Sequence, residues 1–191
     1  MAERLPRTAT MKDGSKVELR LMTPADGPLI KAFTATLSPD DLLFLRNDIT
    51  SDEGLQEWLD NTMKGHTVSV LALGGGELAG YALVSRNPAR WTRRLGEIRV
   101  NIGPGRRGTG LGGVLVSEIF DQAREAGLRK LTAQMTPDQA GARAVFEHLG
   151  FQVEALLPDW VEDRQGRTRD LIVMAYDLDG FTDRVHEPLR A

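Results

Sequence analysis

A chain of 191 residues with 41% apolar and 27% charged residues and a net charge of −3 describes one globular domain able to bury its own core. This balance excludes a strongly basic nucleic-acid surface, and the lack of cysteine excludes disulfides, thiolate zinc sites and a thiol nucleophile. No apolar run approaches a membrane span and the N-terminus lacks the apolar core of a signal peptide, so a cytoplasmic protein without nucleic-acid or membrane partners is expected.

Arginine outnumbers lysine 19 to 5, as in chains from GC-rich bacterial genomes. Residues 1–15 are polar and turn-rich and read as a loose leader or a short edge strand. Lys16 to Leu21 alternates polar and apolar, the period of a half-buried strand. Thr23-Pro24-Ala25-Asp26 opens a helix, with Thr23 as its cap; Ser38-Pro39-Asp40-Asp41 repeats that grammar before Leu42-Leu43-Phe44-Leu45. Ser51-Asp52-Glu53 opens a third helix with Leu55, Trp58 and Leu59 on one face. Thr67–Leu73 and Glu77–Arg86 form a hairpin through Gly74-Gly75-Gly76.

After a loop with Pro88 and Trp91, Leu95 to Ile102 alternates: Ile98, Val100 and Ile102 on one face, Glu97, Arg99 and Asn101 on the other. The next helix carries Leu111, Leu115, Ile119 and Ala123 at i, i+4 spacing and stops at Gly127. Lys130–Met135 is a strand. Pro137 and Asp138 start a helix with Ala142, Val145, Phe146 and Leu149 inward, ended by Gly150. Phe151–Leu157 and Thr168–Leu178 flank a polar turn as a terminal antiparallel hairpin, and residues 179–191 form a polar tail. The domain proper is placed at residues 16–178. An exposed edge strand in the terminal hairpin would permit a homodimer.

Arg107-Gly108-Thr109-Gly110-Leu111-Gly112 lies where the strand turns into the helix. Its glycines leave the backbone bare, and the unpaired amides and positive dipole end of a helix start suit a phosphate. Arg107 adds a donor fork suited to phosphate oxygens. Gly103 to Gly108 also fits the dinucleotide fingerprint, but one face of the preceding strand is polar and no acid stands at the ribose position. A Walker loop fails too, because Thr109 stands where its lysine belongs.

Taken as Arg107-x-x-Gly110-x-Gly112, the loop resembles the phosphate-binding motif of the GNAT superfamily of acyl-CoA-dependent N-acyltransferases. The strand Glu97–Ile102, Pro104 and the segment Phe146-Glu147-His148-Leu149-Gly150-Phe151 carry the resemblance further, with Asp170 to Met174 a softer match. It implies a single α/β domain, a mixed, mostly antiparallel sheet with helices on both faces. It further implies an acetyl-CoA cosubstrate whose pyrophosphate lies on the amides of Arg107, Gly108, Thr109, Gly110, Leu111 and Gly112. The pantetheine arm would run along the main chain of Val100 and Ile102, with Gln139 and Phe146 near the arm and the sulfur.

The reaction implied is direct attack of a primary amine, on a small molecule or a protein, on the acetyl thioester. An amine of lysine type, with a pKa near about 10.4, must first lose a proton. Glu97 is the candidate base; its bland alternative is a solvated pair with Arg99 or Arg20. Phe146 departs from the family, where many members carry a tyrosine that protonates the thiolate; the alternatives are a thiolate that leaves unprotonated, one that takes its proton from water, or one that uses Tyr81 or Tyr176. Asparagine often stands at the position of Gln139. The rival reading is a CoA-binding regulatory module without turnover. His66 and His186 sit in a loop and the tail with no carboxylate spacing of a metal site, so no metal is expected. Trp91 and Trp160 read as loop anchors on the core or as rings lining a substrate cleft, and Asp159, Glu162 and Asp163 as a solvated cluster or a lure for a cationic amine.

Overall fold

The alternating segments form β1 (Arg7–Thr10), β2 (Lys16–Leu21), β3 (Thr67–Gly74), β4 (Glu77–Arg86), β5 (Leu95–Ile102), β6 (Lys130–Met135), β7 (Gln152–Glu162) and β8 (Thr168–Asp177). The computed structural model describes residues 5–42, 45, 48–87, 89–163 and 165–178. The expected tail with His186, and Leu43, Phe44 and Pro88, lie outside these residues. Among the described residues the strands form one sheet in the order β1-β2-β3-β4-β5-β6-β8-β7, antiparallel throughout except for the parallel pair β5 and β6. That parallel step needs a crossover, supplied by the helix between the two strands.

Of residues 1–15, the edge-strand reading is realised: β1 pairs with β2, so the sheet begins ahead of residue 16. The Thr23 start is a 3₁₀ turn, Pro24–Asp26, leading into α1 (Gly27–Thr34). The Asp26 carboxylate accepts from the Thr23 amide at 2.7 Å and hydroxyl at 2.9 Å. α2 spans Pro39–Leu42, and α3 (Asp52–Met63) is capped by Ser51, whose hydroxyl accepts from Gly54 N at 3.0 Å. The glycine hairpin turns through Gly75 and Gly76, both at positive φ.

α4 (Leu111–Glu125) buries the expected stripe Leu111, Leu115, Ile119 and Ala123. α5 begins at Ala140 rather than Pro137, because Thr136 to Asp138 form a turn whose Thr136 amide donates to Gln139 Oε1 at 3.1 Å. Val145 is a correction: it points to solvent while Phe146 alone of that pair is buried. Both α4 and α5 end in a Schellman stop. Leu128 N bonds Ala123 O and Gly127 N bonds Arg124 O; Phe151 N bonds Phe146 O and Gly150 N bonds Glu147 O. Gly127 and Gly150 take the left-handed conformation that this geometry requires.

The sheet has helices on both faces, as expected. α1 and α3 cover Leu71, Leu78, Tyr81 and Leu83 on one face. α4 covers Val70, Ala72, Ala82, Val84 and Ile98 on the other, where Phe146 and Phe151 close the far end. β7 is the outer strand, bulged twice, with Val153, Leu156 and Trp160 exposed.

Candidate active site

β5 is held by β4 from Arg86↔Gly96 to Gly80↔Ile102, and β6 by β8 to Met135↔Ile172. Between them the parallel pairing runs only from Leu95↔Lys130 to Glu97↔Thr132. Beyond Glu97 the two strands part, each anchored on its outer side. Gly103 N donates to Ala79 O at 2.9 Å, which sets the antiparallel alternation along β4 and β5. The residues bonded to β4 are therefore the odd ones, and the N–H and C=O of Val100 and Ile102 face the gap. Their side chains pack on the α4 face. The parallel start at Gly96 is tight: a Cβ there would lie 2.6 Å from Leu128 Cδ1 and 2.7 Å from Val84 Cγ2.

At the open end of β5 the chain makes a 3₁₀ turn, Pro104–Arg106, and enters α4 through Gly108 (φ 77°) and Gly110 (φ 89°). The loop is braced through its carbonyls: Arg106 N donates to Gly103 O, Thr109 Oγ1 to Arg106 O at 2.7 Å, and Lys12 N to Thr109 O at 3.0 Å. The first helical turn is satisfied from Val114 N onward, which donates to Gly110 O. The amides before it belong to the unsatisfied first turn, and the dipole of a 15-residue helix converges on them. A Cβ on Gly105, Gly108 or Gly113 would meet nothing within 4 Å, and one on Gly112 only Ile102 Cγ1 at 3.9 Å. The bare side of the loop thus faces open space at the end of β5.

Two basic side chains flank it. Arg107 reaches across to α2, where Nη2 donates to Asp41 Oδ1 at 2.5 Å. Burial pulls the Asp41 carboxyl upward, but the Ser38 hydroxyl and amide and the Arg107 guanidinium outweigh it and hold it below its ordinary range. The second is Lys12, whose methylenes lie 3.3–3.5 Å from where a Cβ on Gly110 would be. Nothing local announces it, because it sits in the turn between β1 and β2.

On the α3 face the same gap opens into a cleft of about 520 Å³. Glu97 and Arg99 of β5 line it, with Thr132 and Gln134 of β6, Tyr81 of β4 and Trp58 of α3. Glu97 Oε1 accepts from Arg99 Nη2 at 2.5 Å, so of its two expected partners the nearer one is used; Arg20 bonds Asp26 instead. Tyr81 is buried between Trp58, 4.8 Å away, and Phe33, 5.8 Å away edge-on, and its hydroxyl accepts from Asn101 Nδ2 at 2.7 Å. Burial pushes its phenol up to about 12, against the pull of Asn101 and Arg99.

Other candidates fall elsewhere. Phe146 is packed edge-on against Phe151, ring centroids 5.0 Å apart, inside the α4-face core. Tyr176 stacks in that same cluster, 5.0 Å from Phe120, and does not line the cleft. Gln139 is the residue before α5, its carbonyl oxygen held by the Thr136 amide. Trp91 is 92% exposed and Trp160 65%, so neither is a loop anchor on the core and neither lines the cleft. Asp163 is spent in its own turn, accepting from the amides of Gln165 and Arg167 and from the guanidinium groups of Arg167 and Arg169. Glu97, Tyr81 and the glycine loop are brought to one gap; Phe146, Tyr176 and Trp160 are not.

The sequence profile of the acetyltransferase (GNAT) family matches residues 33–151, more than half of the chain. The chain belongs to the GNAT acetyltransferase family. This family of enzymes uses acetyl-CoA, and the matched stretch of this GNAT chain runs from α1 through the Schellman stop after α5. Over 130 residues it is 34% identical to streptothricin acetyltransferase of Streptomyces lavendulae, a match covering 67% of this chain and 59% of that protein. Over 126 residues it is 30% identical to an L-methionine sulfoximine/L-methionine sulfone acetyltransferase of Pseudomonas aeruginosa, covering 65% of this chain and 73% of that one. In fold it is similar to yncA of Salmonella typhimurium, a structure holding its cofactor acetyl-CoA: the TM-score is 0.74 at 24% identity, over 88% of this chain and 97% of that one. Among the described residues no helix is long and apolar enough to cross a membrane.

Proposed function

We propose that the chain moves the acetyl group of acetyl-CoA to a primary amine. The observation that carries the reading is the parting of β5 and β6 at Glu97, directly before a bare-backbone loop that opens a long helix. The amides of Arg107 to Gly112 would hold the pyrophosphate, with Lys12 adding positive charge across Gly110. The main-chain groups of Val100 and Ile102 would hold the pantetheine arm. When bound, acetyl-CoA supplies the thioester that the amine attacks.

Glu97 is the proposed base, accepting the amine proton directly or through one water. Its Oε1 bond to Arg99 fixes the carboxylate at the point where the strands separate. Tyr81, raised to about 12 by burial, keeps its proton. Tyr81 therefore stands as a neutral wall of the cleft, its hydroxyl held by Asn101. The curated relatives act on small molecules, by their names, which favours a small-molecule amine over a protein.

The rival is a CoA-binding module without turnover, favoured by Phe146, which lies in the core and supplies no proton donor. Thermal-shift titration with acetyl-CoA, CoA, ATP and NAD, followed by thiol release with amines, separates them. A ligand at 100 times its Kd adds about 2.7 kcal/mol. Stabilisation by both CoA species but not by ATP or NAD, with amine-dependent thiol release, is expected. Stabilisation without thiol release supports the module, and no response to CoA overturns both.

A further inference from the structure

The cleft beside Glu97 carries a balanced set of charges. Two carboxylates, Glu57 and Glu97, face two guanidinium groups, Arg86 and Arg99, among its described lining residues. An acceptor with several ammonium groups would need an excess of acid there. The wall between the charges is apolar and aromatic, with Leu83, Leu95 and Trp58.

The two arginines differ in state. Arg99 is committed to Glu97 at 2.5 Å. Arg86, exposed at the end of β4, is anchored by its Nε, which donates to Gly65 O at 2.8 Å. Its two terminal nitrogens have no hydrogen-bond or ion-pair partner among the described residues. An anchored guanidinium with open donors at the mouth of a cleft is built to take a carboxylate.

Resting on the acetyltransferase reading, we infer that the acceptor is a zwitterionic α-amino acid with an uncharged side chain. Its amine lies toward Glu97 and its carboxylate on Arg86, so the ligand's two charges match the two poles of the cleft. The carboxylate also counters the guanidinium groups that would repel a bare ammonium. The ammonium gives one proton toward Glu97, the freed amine forms the new N–C bond as the C–S bond of the thioester breaks, and the second N–H proton passes through solvent to the departing thiolate, leaving a neutral amide and a free thiol.

The test measures thiol release with methionine sulfone, methionine sulfone carboxamide and 1,4-diaminobutane, on wild type and on Arg86→Gln, beside an acetyl-CoA thermal shift on each. We expect the zwitterion to be used at least about tenfold better in kcat/KM than the other two amines, as a charge-assisted bond implies. Arg86→Gln should lower its kcat/KM by about tenfold and leave the carboxamide little changed, with the acetyl-CoA shift retained. Arg86→Lys should recover part of the loss. Preference for the diamine or equal use of the carboxamide overturns the inference and leaves the transferase standing. An unchanged preference in Arg86→Gln overturns the role of Arg86. No turnover with any amine overturns the acetyltransferase reading and this inference with it.

Discussion

Gly110 holds the left-handed conformation at φ 89°, with the Lys12 side chain lying across it. A residue with a Cβ is strained there and pushes Lys12 off the loop. Gly110→Ala should therefore cost about 1–2 kcal/mol of stability and weaken acetyl-CoA binding, read by denaturation and by thermal shift. Glu97 tests the chemistry instead of the cradle. Glu97→Gln keeps the volume and removes the proton acceptor, so turnover should fall by about 10²–10⁴-fold while acetyl-CoA still stabilises the protein. Equal rates would clear Glu97 of that role. Both residues were visible in the sequence, because a glycine at a strand-to-helix turn and an acid on an alternating strand are local signals. Lys12 was not, since only tertiary pairing brings the β1–β2 turn onto the loop.

The stop of α5 explains the Phe146 to Phe151 segment without any ligand. Phe146 supplies the carbonyl that Phe151 N bonds, and their rings meet across the turn, the apolar contact that accompanies a Schellman motif. Phe146→Tyr would bury a hydroxyl in that contact. It should cost about 1–3 kcal/mol and bring no gain in rate; faster turnover would return this position to the active site. β1 is tied in differently. Arg7 Nε bonds Glu118 Oε2 at 2.9 Å, and Glu118 is buried in the middle of α4. Arg7→Ala strands that carboxylate and should cost about 3 kcal/mol, whereas Arg7→Leu with Glu118→Leu should recover most of the loss, both read by urea denaturation.

For the molecule as a whole, depressed carboxylates set the acid limit. Asp163 lies at about 2 against an ordinary 3.8: burial opposes the shift, but the amides of Arg167 and Gln165 and two guanidinium groups outweigh it. Asp26 is also lowered, first by its bond from Arg20, against burial, with further help from Thr23. Each is more acidic folded than unfolded. The contribution of Asp163 is therefore complete above pH 3.8 and lost as pH falls from there through about 2, and that of Asp26 is likewise present above pH 3.8 and lost on the acid side of it. Tyr81 works at the other end: raised from 10.0 to about 12, its contribution is complete below pH 10 and lost as pH rises toward 12. Urea midpoints across pH should fall on both sides, and Asp26→Asn should flatten the acid limb; a limb unchanged in that variant would exclude Asp26 from it.

Periodicity and turn chemistry are local, so the sequence by itself determined nearly every strand, the α4 stripe, both Schellman glycines and the loop of Arg107 to Gly112. It also carried the family, because the loop and the helix stop stand in order along the chain. It could not decide which polar groups meet. Glu97 chose Arg99 over Arg20 because Arg20 lies across two strands and is held by Asp26. Only the tertiary structure set Phe146 edge-on against Phe151, brought Tyr81 to the cleft and opened β5 from β6. Those outcomes depend on strand order and helix packing between residues far apart in sequence, where no spacing along the chain carries the information.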